Sequence, residues 1–242
     1  MIDINCDLGE SFGAYRLGSD ADMMKWITSA NVACGYHAGD PLVMETTVRL
    51  AAEAGVKIGA HPGYPDLQGF GRRVMECSPQ EVEAFMLYQL GALSAFTRAA
   101  GVDLVHVKPH GALYNQAAKD AALAQAIARA VVKFSRSLVL VGLAGSRLVE
   151  AGSEAGLAVM AEGFPERGYN PDGTLMNRKL PGALLTDPAQ AAENAHRLAK
   201  EGIAITSGSQ TRYVQVDTLC IHGDNPHAVE VAKAIRQRLG QD

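Results

Sequence analysis

Eight short apolar runs separated by helical stretches constrain this chain more than any other feature. The runs are Ile2–Cys6, Asn31–Cys34, Val56–Ala60, Leu104–Val107, Leu138–Val141, Leu157–Ala161, Ile203–Thr206 and Thr218–Ile221. Helical character fills Pro41–Ala54, Pro79–Ala99, Asp120–Phe134, Ser146–Glu154, Pro188–Lys200 and Pro226–Leu239. The second of these is the clearest: Ser78 caps, Pro79 opens, Glu81 closes a capping box, and Val82, Phe85, Met86, Gln89 and Leu93 trace one face. Strands alternating with helices dictate a parallel sheet with right-handed crossovers. Seven or eight such units in 242 residues predict an α/β fold, a TIM-like parallel (β/α) barrel with one unit missing or irregular. A doubly wound open sheet is the competing arrangement. With no linker, low-complexity tract or close repeat, a single domain over 1–242 is expected.

The net charge of −4 is spread over 22 basic and 26 acidic residues, which gives neither a nucleic-acid footprint nor a polybasic membrane patch. The apolar runs are too short to span a bilayer, and Met1 leads straight into a strand, so a cytoplasmic protein is expected. The four cysteines, Cys6, Cys34, Cys77 and Cys220, contain no Cys-x-x-Cys pair and read as buried free thiols rather than nucleophiles.

In parallel α/β folds the active site is built at the C-terminal ends of the strands. Here those ends carry Asp7 and Glu10, His37 and Asp40, His61 and Asp66, Lys108 and His110, Glu162 with Glu166 and Arg167, and His222 with Asp224. Four of the seven histidines, His37, His61, His110 and His222, sit this way and His106 lies within its strand, whereas His196 and His227 fall on helices and read as surface residues. Titratable groups gathered at one rim are site candidates. His106 is placed on the face opposite Lys108 and read as a structural partner. Asp40 also reads as the cap of the following helix, with Pro41 at its first position. Tyr114 and Asn115 can donate hydrogen bonds or simply begin a helix. The segment Gly163–Leu184, rich in Gly, Pro and Arg, reads as a functional loop. Asp7, His37 and His61 would form a two-histidine, one-carboxylate set for a divalent metal, although no His-x-x-x-His spacing supports it locally. No phosphate-loop, dinucleotide or Gly-x-Ser-x-Gly motif is present.

Six blocks in order carry a resemblance over nearly the whole chain: Asp3–Gly13, Asn31–Asp40, Ala60–Arg73, Val107–Asn115, Pro181–Leu184 and Cys220–Pro226. On these the chain resembles the LamB/YcsF family. The resemblance implies a barrel related to the glycoside hydrolase/deacetylase architecture. It implies cleavage of 5-oxo-L-proline to L-glutamate coupled to ATP hydrolysis, in a complex with two further subunits, B and C. One departure stands out: Phe164-Pro-Glu-Arg167 replaces the family's usual Phe-Ala-Asp-Arg, which leaves the role of Glu166 open.

Lactam opening needs a base for water, an acid for the leaving nitrogen and a clamp for anions. Asp7, Glu10, His37 and His61 are candidates for water activation, and His110 for protonating nitrogen. Lys108 is either a clamp or an acid/base. Arg72, Arg73, Arg167 and Arg178 suit a carboxylate or phosphate, with Asp40, Tyr114, Asn115, His222 and Asp224 beside them as substrate contacts. ATP is expected on this chain or on its partners. Two other readings compete: a metal-dependent deacetylase of an acylated carbohydrate, and a non-catalytic substrate-binding subunit. Helical faces such as Pro79–Ala99 could serve as core or as an interface between copies.

Overall fold

Along β1 (Asp3–Leu8) the side chains alternate between a polar set, Asp3, Asn5 and Asp7, and an apolar set, Ile4, Cys6 and Leu8. Successive residues of a strand face opposite sides, so one set must look into the barrel and the other toward the helices. The polar set looks inward. Asn5 Nδ2 donates to Thr218 Oγ1 at 2.7 Å, and Asn31 Nδ2 donates to Asn5 Oδ1 at 2.7 Å and Asp7 Oδ1 at 2.8 Å. The apolar set joins a continuous core with helix residues such as Met44, Val48, Val82, Ile127 and Val231. Each large aliphatic side chain in that core contributes about 1.5–3 kcal/mol by burial, which is what fastens the helices to the strands.

The computed structural model describes residues 1–242 except 208, 209, 226 and 242. After β1 come α1 (Asp20–Met23), β2 (Ser29–Ala33), α2 (Pro41–Ala54), β3 (Lys57–His61), α3 (Pro79–Ala99), β4 (Leu104–Val107), α4 (Gly111–Ala117) and α5 (Ala121–Phe134). Then follow β5 (Val139–Leu143), α6 (Arg147–Glu154), β6 (Ala158–Gly163), α7 (Pro188–His196), a π-helical turn (Arg197–Glu201), β7 (Ile203–Ile205), β8 (Thr211–Tyr213), β9 (Thr218–His222) and α8 (Ala228–Leu239). Seven strands, in the order β1-β2-β3-β4-β5-β6-β9, close into a barrel, every neighbouring pair parallel.

The expected barrel is therefore present with seven strands, and the open sheet is excluded. The seventh apolar run, Ile203–Thr206, is not a barrel stave. It pairs antiparallel with Thr211–Tyr213 as a hairpin outside the barrel, and β9 closes on β6 in its place. Helices α2 and α3 begin and end as expected because both ends are marked. Asp40 accepts from the backbone of Leu42 and Val43 ahead of Pro41, and the Ser78–Glu81 capping box precedes Pro79. The last helix begins at Ala228; Pro226 lies outside the described residues.

One face assignment is corrected. Residues two apart on a strand share a face, so His106 looks inward with Lys108 rather than away from it. Its Nε2 donates to Asn31 Oδ1 at 2.7 Å. Gly59 makes the room: a Cβ there would stand 2.0 Å from His106 Nε2. Burial, with Lys108 nearby, pulls His106 down to about 4 despite the opposing charge of Asp3, so it is a neutral structural donor.

Candidate active site

The C-terminal ends of the strands and the Gly163–Leu184 segment surround an open cavity of about 870 Å³. Asp7, His61, Arg72, Lys108, His110, Tyr114, Asn115, Arg167, Arg178 and His222 all line it, so residues spread over most of the sequence meet at one mouth.

At its floor Lys108 Nζ donates to Asp7 Oδ1 at 2.8 Å, to Asn5 Oδ1 at 3.1 Å and to Cys220 Sγ at 3.0 Å. It also sits 2.8 Å from Glu162 Oε1, an ion pair off the hydrogen-bonding direction. Burial works against the ammonium charge, but Asp7, Cys220 and Glu162 outweigh it and hold Lys108 protonated well above its ordinary range. Asp7 mirrors this. Burial would raise it, yet His61 and Lys108 pull it well below the usual carboxylate range. Tyr114, on α4, donates to Glu162 Oε2 at 2.6 Å, so its hydroxyl is committed to the floor. Burial also pushes the Cys220 thiol well up, which fits a bystander rather than a nucleophile; all four cysteines are free.

Behind the floor lies a histidine cluster. His61 Nε2 is 3.3 Å from Asp7 Oδ2 and 2.9 Å from His110 Nδ1. His37 stacks on His110 with ring centroids 3.7 Å apart and planes 3° from parallel. Glu10 Oε1 lies 3.2 Å from His37 Nε2 and 3.5 Å from His110 Nδ1. Burial, reinforced by the neighbouring rings, keeps His37 and His110 well below the ordinary histidine range; burial and the Asp7 charge raise Glu10 well above its own. His110 is thus a neutral ring whose Nε2–H is donated to the Phe70 carbonyl at 2.8 Å, not a charged acid aimed at substrate. Phe70 holds that carbonyl from a left-handed backbone, φ 54°, which costs about 1–2 kcal/mol for a non-glycine residue.

The metal set expected from the sequence is regrouped. Among the described residues, ligand atoms that approach one another closely enough for one ion belong to Glu10, His37, His61 and His110, and separately to Asp7, Cys220 and His222. Asp7 falls in the second group rather than the first, although its Oδ2 lies 3.3 Å from His61 Nε2. Lys108 also donates to both Asp7 and Cys220, which fills the second group with a cation of the protein's own.

Two substrate-contact expectations are also corrected. Asp40 points away from the cavity, because its carboxylate caps α2 and accepts from Gly13 N at 2.7 Å beside a different surface pocket. Arg73 folds back onto Asp66 in an ion pair and does not line the cavity. Arg72 pairs with Asp224 at the rim, which places both beside the mouth. Arg167 is buried and fixed by the carbonyls of Ala183 and Met176; burial and the neighbouring Arg178 charge bring it down to about 10. Arg178 has no carboxylate partner among the described residues. Asn115 Nδ2 donates to Gly111 O within α4. Glu166 accepts from His222 N at 2.9 Å and Asn225 Nδ2 at 2.8 Å, which fixes the loop after β9.

The LamB/YcsF family model matches residues 2–242. This chain belongs to the LamB/YcsF family. It is 54% identical over 241 residues to the 5-oxoprolinase A subunit of Pyrococcus furiosus, covering 100% of this chain and 94% of the relative. It is 57% identical over 238 residues to the 5-oxoprolinase A subunit of Symbiobacterium thermophilum, covering 98% and 91%. The LamB/YcsF barrel also matches the crystal structure of a lactam utilization protein from Thermus thermophilus, with a TM-score of 0.93 and 50% identity over 99% of this chain and 96% of that one. No helix among the described residues is long and apolar enough to cross a membrane.

Proposed function

We propose that this chain opens the ring of 5-oxo-L-proline to L-glutamate, as the A component of a 5-oxoprolinase that hydrolyses ATP together with subunits B and C. The observation that carries the reading is the facing of Asp7, Lys108 and Arg178, which has no carboxylate partner among the described residues, into one cavity, in a chain more than half identical to proteins named as the 5-oxoprolinase A subunit.

A lactam carbonyl is a poor electrophile, so ATP is used to phosphorylate its oxygen in the assembled enzyme. The substrate carboxylate and the phosphoryl group are both anions, and Arg178 and Arg167 face the space they would fill. Lys108 is held charged, so it stabilises negative charge as it develops at the reacting carbon's oxygens. Asp7 Oδ1 is engaged by Lys108 and Asn31, so Oδ2, 3.3 Å from His61 Nε2, is the oxygen that accepts the proton of an attacking water. Its low basicity suffices because phosphorylation has already made the carbon electrophilic. The proton then passes from Asp7 to the ring nitrogen as the carbon–nitrogen bond breaks. The phosphoryl group stays on the new carboxyl oxygen until a second water releases it as phosphate.

The test is reconstitution with purified B and C subunits and measurement of glutamate with and without ATP. ATP-dependent glutamate is expected, with Asp7→Asn lowering the rate by about 10²–10⁴-fold. Full activity of that variant would remove Asp7 from the chemistry, and glutamate formation by this chain alone without ATP would overturn the coupling.

A further inference from the structure

His61 and His110 turn ring nitrogens toward each other. His61 Nδ1 lies 2.7 Å from the carbonyl of Lys108, and His110 Nε2 lies 2.8 Å from the carbonyl of Phe70. A carbonyl only accepts, so those two ring nitrogens must carry the protons. In the neutral rings that leaves His61 Nε2 and His110 Nδ1 bare and buried, 2.9 Å apart, with Asp7 Oδ2 a further 3.3 Å from His61 Nε2. Three acceptors gathered at this distance need a cation, either a proton or a metal ion, to draw them together.

We infer that Glu10, His61 and His110 bind a divalent transition-metal ion of the zinc class. Two nitrogens about 2.0–2.1 Å from one zinc stand about 2.9 Å apart at a right angle and about 3.4 Å apart at the tetrahedral angle. The observed separations, 2.9 Å between the rings and 3.5 Å from His110 Nδ1 to Glu10 Oε1, span that range. Two histidines and one glutamate are a ligand set that leaves a position open, here toward the cavity that His61 and His110 line.

The surroundings are those of metal ligands. A ligating histidine ordinarily donates its other N–H to a carbonyl or carboxylate, and both rings here do so. His37 is not a ligand itself. It lies parallel to His110, so its in-plane lone pair cannot converge on the same point. Instead its Nε2 reaches Glu10 Oε1 and orients that carboxylate. The ion would polarise a water or a lactam oxygen at the open position.

The test uses the full chain without substrate, so its failure would leave the lactam reading standing. The protein is stripped with a chelator, incubated with zinc or cobalt(II), passed through a desalting column and analysed for metal. About one ion per chain is expected, with visible cobalt absorption and a higher melting temperature. Glu10→Gln and His110→Ala, folded by circular dichroism, should each lose the ion and the cobalt spectrum, while His196→Ala on α7 should keep both. A parent chain that retains no metal and melts unchanged overturns the site, since the two rings would then share a proton instead. Retention of a full equivalent by both Glu10→Gln and His110→Ala would overturn the ligand assignment.

Discussion

Lys108 Nζ stands 2.8 Å from Glu162 Oε1 inside the barrel and 2.8 Å from Asp7 Oδ1. Both side chains are buried, so neither charge has water to fall back on. Lys108→Met strands two carboxylates in the interior and should destabilise the fold by about 3–5 kcal/mol. Adding Glu162→Gln should recover part of that loss, because only Asp7 then lacks its ammonium partner. Urea unfolding of the three proteins reads the effect, and a Lys108→Met chain as stable as the parent would show that the carboxylates are neutralised some other way.

Arg178 and Arg73 separate binding from scaffolding. Arg178 faces the cavity without a carboxylate partner among the described residues, whereas Arg73 is committed to Asp66. Losing a charged hydrogen bond to an anionic substrate costs about 1.5–3 kcal/mol. Arg178→Ala should therefore raise the KM for 5-oxo-L-proline in the assembled enzyme by about 10–100-fold. Arg73→Ala should leave KM unchanged and lower only thermal stability. Equal KM effects in the two variants would place the substrate anion elsewhere.

Local chemistry was readable in the sequence where one residue decides one outcome. Asp40 with Pro41 and Ser78 with Pro79 fix helix starts by satisfying backbone N–H groups within three residues, and both helices begin where expected. Strand ends carrying Asp7, His61, Lys108 and His110 do meet, because a parallel barrel puts all those ends at one face. What depends on distant partners was not readable. The run Ile203–Thr206 is strand-like, but nothing in its pattern says that its partner is Thr211–Tyr213 rather than the barrel. Glu162 ends β6 and points inward, yet its importance comes from Lys108 and Tyr114, which are 54 and 48 residues away. Its position at a strand end was the available signal. Asn5 and Asn31 share the inward face by strand alternation, which also marks them. The opposed lone pairs of His61 and His110 rest on backbone carbonyls, and no side-chain pattern encodes those.

Asp66 should make stability depend on acid. Its Oδ1 accepts from Gly69 N at 3.0 Å and from Arg73 Nε at 2.9 Å, and Arg73 holds the carboxyl below its ordinary range. A carboxylate whose folded pKa is depressed contributes stability that is fully present above its unfolded value of about 3.9 and is lost as pH falls through the folded value. Asp66→Asn should thus be less stable than the parent by about 1–2 kcal/mol at pH 7, with the gap closing below about pH 4. Melting temperatures across that range check it, and a gap that persists unchanged to pH 3 would mean that the carboxylate charge is not the cause.

Gly71 lets Phe70 bring its carbonyl to His110. The Gly71 backbone has φ +62°, and a Cβ there would stand 2.7 Å from His37 Cβ and 2.8 Å from His110 Cδ2. Gly71→Ala therefore carries two penalties: about 1–2 kcal/mol for a left-handed non-glycine residue and about 1–3 kcal/mol for crowding two stacked rings. Gly13→Ala isolates the first, since Gly13 has φ +56° but nothing within 4 Å of its Cβ position. Gly71→Ala should be the less stable of the two by the crowding cost, and it alone should lower turnover, because the rings can yield only by moving His110 off the Phe70 carbonyl. Urea unfolding and ATP-dependent glutamate formation measured on both variants decide the matter; equal stability and equal turnover would show that the ring pair has room the geometry does not give it.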